Sequence, residues 1–177
     1  YLFINKKMSL TVIIGCMFSG KTTTLLNNIT PKSYVINSSL DTRTTDYIKS
    51  HNNIKYKAHK CSNLNFSEYK LNILQANYDT IIIDEGQFFP NLVDSIKKLL
   101  SYNFNIIIAG LDADSNQNKF GEILDLILIA DKTIKLTGKC HICNETGAFT
   151  KRINKNNTEQ ILVGNENNYK CVCRKHL

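Results

Sequence analysis

At 177 residues, 42% of them hydrophobic, the chain can bury the core of one ordinary domain with a small appendage, and nothing in it demands a second large domain. No run approaches the roughly 18 consecutive apolar residues of a membrane span, and residues 1–8 lack the apolar centre of a signal peptide, so a soluble, cytoplasmic protein is expected. The net charge of +7 is scattered along a Lys-, Asn- and Ile-rich sequence, which points to a small anionic ligand and away from nucleic acid or membrane.

Residues 1–8 are read as an extension or disordered N-terminus and set aside. The first element is the apolar run LTVII, 10–14, which stops at Gly15; from Lys21 to Ile29, Leu25, Leu26 and Ile29 recur at helical spacing. Between strand and helix lies GCMFSGKT, comprising Gly15, Cys16, Met17, Phe18, Ser19, Gly20, Lys21 and Thr22, which fits G-x-x-x-x-G-K-[ST]. Its glycines let backbone N–H groups converge on phosphate oxygens, Lys21 reaches the outer phosphates and the Thr22 hydroxyl ligates Mg²⁺.

Further apolar runs at Tyr34–Ile36, Thr80–Ile83 and Ile106–Ala109 do not alternate, as expected of parallel strands buried on both faces. Leu92, Val93, Ile96, Leu99 and Leu100 form a helical stripe after Pro90. Residues 122–130, EILDLILIA, are apolar on nearly every side and are expected to form a mostly buried helix, with a strand also compatible with the pattern alone. The alternation implies a P-loop, RecA-like α/β domain over residues 9–138, a parallel sheet flanked by helices.

TIIIDEGQFF, 80–89, is an apolar strand that ends in two acids, the pattern of a Walker B strand. Asp84 is expected to hold Mg²⁺. Glu85, at the carboxyl end of a parallel sheet, is placed to accept a proton from an attacking hydroxyl or water. Of the adjacent Phe88 and Phe89, one is expected in the core, while the pair beside catalytic acids suits a planar ligand.

From residue 139 to 177 the composition changes to short β-like runs, 148–153 and 160–163, joined by NKNNTE. Such a stretch builds little core, so a bound metal is expected to hold it together. Cys140 and Cys143 form a CxxC pair, Cys173 and His176 a CxxH pair, and together they make a tetrahedral Zn²⁺ set with no open position for catalysis. Cys171 competes as a ligand but breaks the two-residue spacing. His141 is read as an exposed loop residue.

GCMFSGKTT, DEGQFF, AGLDADSNQNKFG, KLTGKCHIC, TKRI and YKCVCRKH occur in the order and approximate spacing of thymidine kinases of the type found in poxviruses, many bacteria and animal cytosol. The chain resembles that family from about Ser9 to its C-terminus. The resemblance implies transfer of the γ-phosphate of ATP to the 5′-hydroxyl of thymidine. Glu85 then matches the general base and Asp84 the acid associated with Mg²⁺. Arg43, in the segment Asp41, Thr42, Arg43, would stabilise charge on the transferring phosphoryl, with Lys21 as the third catalytic residue. Gly86 and Gln87 complete the cofactor side.

By the same resemblance Phe88 packs on the thymine, with Met17, Leu111, Ser115 and Phe120 at other pocket positions. Gln160, Ile161, Leu162, Val163 and Gly164 look like part of a lasso that closes over the nucleoside, and Tyr169 matches a tyrosine at its far end. The zinc-binding lasso domain is 139–177. A homotetramer inhibited by thymidine triphosphate is also implied. Three departures stand out: Cys16 replaces a frequent proline and places a thiol near a helix N-terminus, Ser115 replaces a frequent phenylalanine, and NQNK replaces a more basic stretch. The runner-up is a zinc-containing, nucleic-acid-dependent P-loop ATPase. A GTPase-like switch lacks support, since no Asn-Lys-x-Asp motif is present.

Overall fold

The Ile-rich runs form the middle of a parallel sheet. The computed structural model describes residues 8–49, 55–153 and 167–177. In chain order these hold β1 (Ser9–Gly15), α1 (Lys21–Leu26), β2 (Ser33–Ser38), β3 (Tyr47–Lys49), β4 (Lys55–Lys57), β5 (His59–Cys61), α2 (Glu68–Asn77), β6 (Thr80–Asp84), α3 (Leu92–Ser101), β7 (Asn105–Leu111) and β8 (Lys132–Leu136). The sheet order is β5-β2-β6-β7-β1-β8. Every pairing within it is parallel, as the unbroken apolar runs require. β7 separates the glycine-loop strand β1 from the acid-tipped strand β6, the expected P-loop α/β arrangement.

Side chains alternate between the two faces, and each face has its own cover. Leu10, Val12, Ile14, Ile81, Ile83, Ile106 and Ile108 pack with Leu71 and Leu74 of α2 and with Leu92, Ile96 and Leu99 of α3. Ile13, Val35, Ile82 and Ala109 face the other way, against Leu25 and Leu26 of α1 and Ile48 of β3. Because both faces of the central strands are covered, polar groups of β2, β6, β7 and β1 are concentrated at the strand ends, where ligands bind in such sheets.

Beyond β8, β9 (Gly138–Lys139) pairs antiparallel with β10 (Thr146–Gly147), and β11 (Phe149–Arg152) with β12 (Tyr169–Val172). The run expected at 160–163 lies outside the described residues.

One expectation is corrected. Residues 122–130 do not form a buried helix but a succession of turns leading into a short 3₁₀ helix, Asp125–Ile129. Only Ile123 and Leu126 enter the core, while Ile127 and Ile129 are partly exposed and Leu128 is 88% exposed. Leu124 and Ala130 pack against the same α2/α3 cluster only partly buried, and uniform apolarity gave no stripe from which to read which side chains go in.

Leu126→Ala is therefore expected to cost about 2–5 kcal/mol in urea unfolding, and Leu128→Ser to stay within about 0.5 kcal/mol. Equal losses would mean that both side chains are packed.

Candidate active site

The loop from Gly15 to Thr22 joins β1 to α1 at the carboxyl end of the sheet. The carbonyl of Cys16 accepts from Ser19 Oγ at 2.8 Å and from Lys21 Nζ at 2.6 Å. Burial lowers the Lys21 ammonium below its ordinary range, against the opposing pull of Glu85, Asp84 and Asp112. A desolvated cation folded onto its own loop suits an incoming polyphosphate, whose oxygens replace that single carbonyl.

Asp84 ends β6 almost wholly buried. Its Oδ2 accepts from Thr22 Oγ1 at 3.0 Å and its Oδ1 from the Glu85 amide at 3.0 Å. Burial first, then the neighbouring Glu85 carboxylate, push Asp84 up to about 7; Arg43 and the hydrogen bonds oppose this. An all-oxygen pair of hydroxyl and buried carboxylate fits a hard divalent cation, whose charge would offset both the burial and the neighbouring carboxylate that raise Asp84.

Glu85 has φ of 55° in the left-handed region, which non-glycine residues rarely occupy. That turn swings its side chain away from Asp84 and into a clamp. Oε1 pairs with Arg43 Nη2, and Oε2 accepts from Gln87 Nε2 at 2.6 Å. Arg43 is aimed by Asp41, whose Oδ1 accepts from Arg43 Nε at 2.6 Å and from its amide at 3.2 Å. Burial works against the Arg43 cation, but Glu85 and Asp41 more than offset it and raise its pKa. Burial likewise works against the Asp41 carboxylate, yet Arg43 and Asn37 hold it below its ordinary range. Thr42 is exposed and Gly86 buried.

Two participants had escaped the sequence reading. Asn37, buried at the end of β2, donates to Asp41 Oδ2 at 3.0 Å. Lys60 of β5 donates to the carbonyls of Ser38 and Asp41, clasping the turn that carries Asp41. Asn37 had a signal, since like Asp84 it ends a buried apolar run. Lys60 had none.

Of the expected pocket residues, Phe88 and Phe120 meet edge to face with centroids 5.5 Å apart, while Phe89 lies in the core. Leu111 ends β7, and its amide is bound by Gln87. Ser115 sits in a turn capped by Asp114, its carbonyl accepting from Gln117. Met17 is tied through its amide to Thr150 Oγ1 of β11 at 2.9 Å. Tyr169 is buried in β12, its hydroxyl accepting from Arg152 at 2.9 Å. Gln160, Ile161, Leu162, Val163 and Gly164 lie outside the described residues.

The four C-terminal ligand candidates, Cys140, Cys143, Cys173 and His176, converge, their ligand atoms all within 4.8 Å of one another. A tetrahedral Zn²⁺ with Zn–S near 2.3 Å and Zn–N near 2.0–2.1 Å requires edges of about 3.8 Å between sulfurs and about 3.6 Å between sulfur and nitrogen. Cys143 Sγ and Cys173 Sγ are 3.8 Å apart, and His176 Nδ1 is 3.6 Å from Cys140 Sγ and 3.3 Å from Cys173 Sγ. Burial disfavours the Cys140 thiolate, but the amides of Cys143, Cys173 and Ile142 outweigh it and bring that thiol down to about 5, as a thiolate ligand needs. His141 is exposed, as expected.

Cys171 turns the other way. Its sulfur lies 3.5 Å from that of Cys16, which is 1% exposed, and burial pushes the Cys171 thiol up to about 12. Cys16 is thus a small buried contact between the phosphate loop and β12. A Cβ on Gly147 would come within 2.5 Å of the Cys171 sulfur, so the joint closes only over glycine.

A model of the thymidine kinase family matches residues 8–177. The chain is 37% identical over 174 residues to a protein named thymidine kinase 1 from Dictyostelium discoideum, a match covering 92% of this chain and 74% of that one. It is 36% identical to the thymidine kinase of Mycoplasma genitalium, covering 98% and 85%, and 33% identical to that of Myxoma virus strain Uriarra, covering 93% of each.

The buried Asp84 carboxyl has a consequence for stability. With its pKa raised in the folded chain, the folded state keeps a proton that the unfolded state releases, so this group lowers stability as pH rises from about 4 to about 7, with no further loss above that. Asp84→Asn is expected to raise the Tm of the ligand-free protein at pH 8 by several degrees, at about 2–4 °C per kcal/mol for a chain of this size. The gain should shrink toward pH 4; a gain independent of pH would refute this.

Proposed function

The chain belongs to the thymidine kinase family, and on that premise we propose how its own residues transfer the γ-phosphate of ATP to the 5′-hydroxyl of thymidine. The observation that carries the reading is the clamped carboxylate of Glu85 beside the Thr22–Asp84 pair, at the mouth of the phosphate loop. Residues Gly15 to Thr22 cradle the donor phosphates, with Lys21 leaving the Cys16 carbonyl for the phosphate oxygens. Thr22 and Asp84 hold Mg²⁺, which when bound neutralises charge on the β- and γ-phosphates.

Glu85 takes the 5′-hydroxyl proton as that oxygen attacks the γ-phosphorus. The bond to the β–γ bridging oxygen breaks and ADP departs with its electron pair. Arg43 turns from Glu85 toward the transferring phosphoryl, still held by Asp41, so that it stabilises charge where charge develops. The move also frees Glu85 to act as base. Phe88 stacks on thymine with Phe120 at its edge, and Met17, Leu111 and Ser115 line the same pocket.

Cys140, Cys143, Cys173 and His176 hold a structural Zn²⁺ that ties together both ends of the lasso, in which Gln160 to Gly164 bind the base and Tyr169 anchors the far end. We further propose, from the resemblance set out above, a homotetramer inhibited by thymidine triphosphate and working in the cytoplasm. No described helix is long and apolar enough to cross a membrane. Of the 22 Lys and Arg residues, Lys21 and Arg43 stand at the candidate phosphate site.

The direct test is ATP- and Mg²⁺-dependent phosphorylation by the purified chain, with thymidine, deoxycytidine, deoxyguanosine and single-stranded DNA in parallel. Thymidine monophosphate should be the dominant product; ATP hydrolysis that rises only with DNA would overturn the reading. Glu85→Gln should lower kcat by about 10²–10⁴-fold while ATP affinity stays nearly intact. Chelation of zinc should raise the thymidine KM before the α/β core unfolds, and unchanged kinetics in metal-free protein would remove zinc from lasso placement.

A further inference from the structure

Gln87 stands out because a buried primary amide has four hydrogen-bonding sites to satisfy and here faces two committed partners. It is 3% exposed, in the short turn after β6. Its Oε1 accepts from the Leu111 amide at 2.9 Å, and its Nε2 donates to Glu85 Oε2 at 2.6 Å. A backbone N–H can only donate, so the Leu111 amide fixes which end of the side chain is oxygen. The nitrogen is thereby turned to Glu85. A Cβ on Gly110 would collide with Gln87 Oε1, so the slot that holds this rotamer exists only because β7 carries glycine there.

The two sides of the clamp on Glu85 differ in kind. Arg43 is 42% exposed on a loop and has a competing use on phosphate. Gln87 is walled in by β7 and has none. We propose that Gln87 is the positioning residue of the reaction: it transmits the fixed position of the Leu111 amide to Glu85, so that Oε1 stays aimed at the nucleoside hydroxyl once Arg43 has left. This rests on the reading of Glu85 as the base. Gln87 then acts through Glu85, in place of the direct cofactor contact that the resemblance implied for it.

A double-mutant cycle tests it. Single-turnover phosphorylation of thymidine at saturating ATP and Mg²⁺ is measured for the parent, Gln87→Met, Glu85→Gln and the double variant, with the Tm of each. Gln87→Met should lower kcat by about 10²-fold, the scale of a misplaced catalytic group, and change the thymidine KM by less than about threefold. In the Glu85→Gln background the same change should lower kcat no further, although it still lowers Tm.

Gln87→Glu retains an acceptor for the Leu111 amide and takes the place of Gln87→Met if that variant does not fold. An equal fall in kcat in both backgrounds overturns the proposal, as does a Gln87 variant with near-parental kcat. Near-parental kcat in Glu85→Gln instead removes the base, and then a low Gln87→Met rate also overturns action through Glu85.

Discussion

Two adjacent carboxylates, Asp84 and Glu85, stand at the buried end of a central strand, and much of the surrounding architecture answers their mutual repulsion. Backbone strain at Glu85 sends the second carboxylate away from the first. Thr22 and the Glu85 amide hold one, while Arg43 and Gln87 hold the other. Asp41 holds Arg43, and Asn37 and Lys60 hold Asp41 and its turn in place. The site is accordingly a crowded electrostatic arrangement whose charges a cation and a polyphosphate would complement. Stability is given up at Asp84 to keep a carboxyl buried at the proposed metal position.

What could be read from the sequence divides along physical lines. β1, β6 and β7 were legible because strands dry on both faces leave unbroken Ile and Val runs, and α3 because its apolar residues fall on one side. α2 escaped notice: Leu71 and Leu74 are buried while Tyr69 and Ile73, on the same helix, are exposed, so apolarity and burial part company. β3, β4 and β5 are three residues each, and β4 is exposed throughout, too little for any period to register.

The phosphate loop and the paired acids announced themselves, since their chemistry needs those residue types at that spacing. Arg43 did not. Its place depends on Asp41 two residues earlier, on Asn37 from a neighbouring strand and on Lys60 from another, a contact set with no linear signature. The segment at 122–130 failed for the opposite reason, since a stretch apolar on all sides leaves its buried face unmarked. In the C-terminal region the spacing named the four converging side chains correctly, and the structure adds why Cys171 is not among them: its sulfur fills the gap that Gly147 leaves against Cys16.

The sheet order also bears on the order in which the molecule can be built. β1 precedes both its sheet neighbours, β7 and β8, in the chain, and the Ser9–Asn105 contact spans 96 residues. During synthesis the Ile-rich strand that carries the phosphate loop has no partner in the sheet until residue 105 and beyond have been made. β2 and β6 can pair before it, so a nascent chain carries the acid-tipped half of the site ahead of the glycine-loop half. The loop that follows β1 is thus made before β2 and β6 but seated after them, and β1 stays an unpaired strand until β7 has been made.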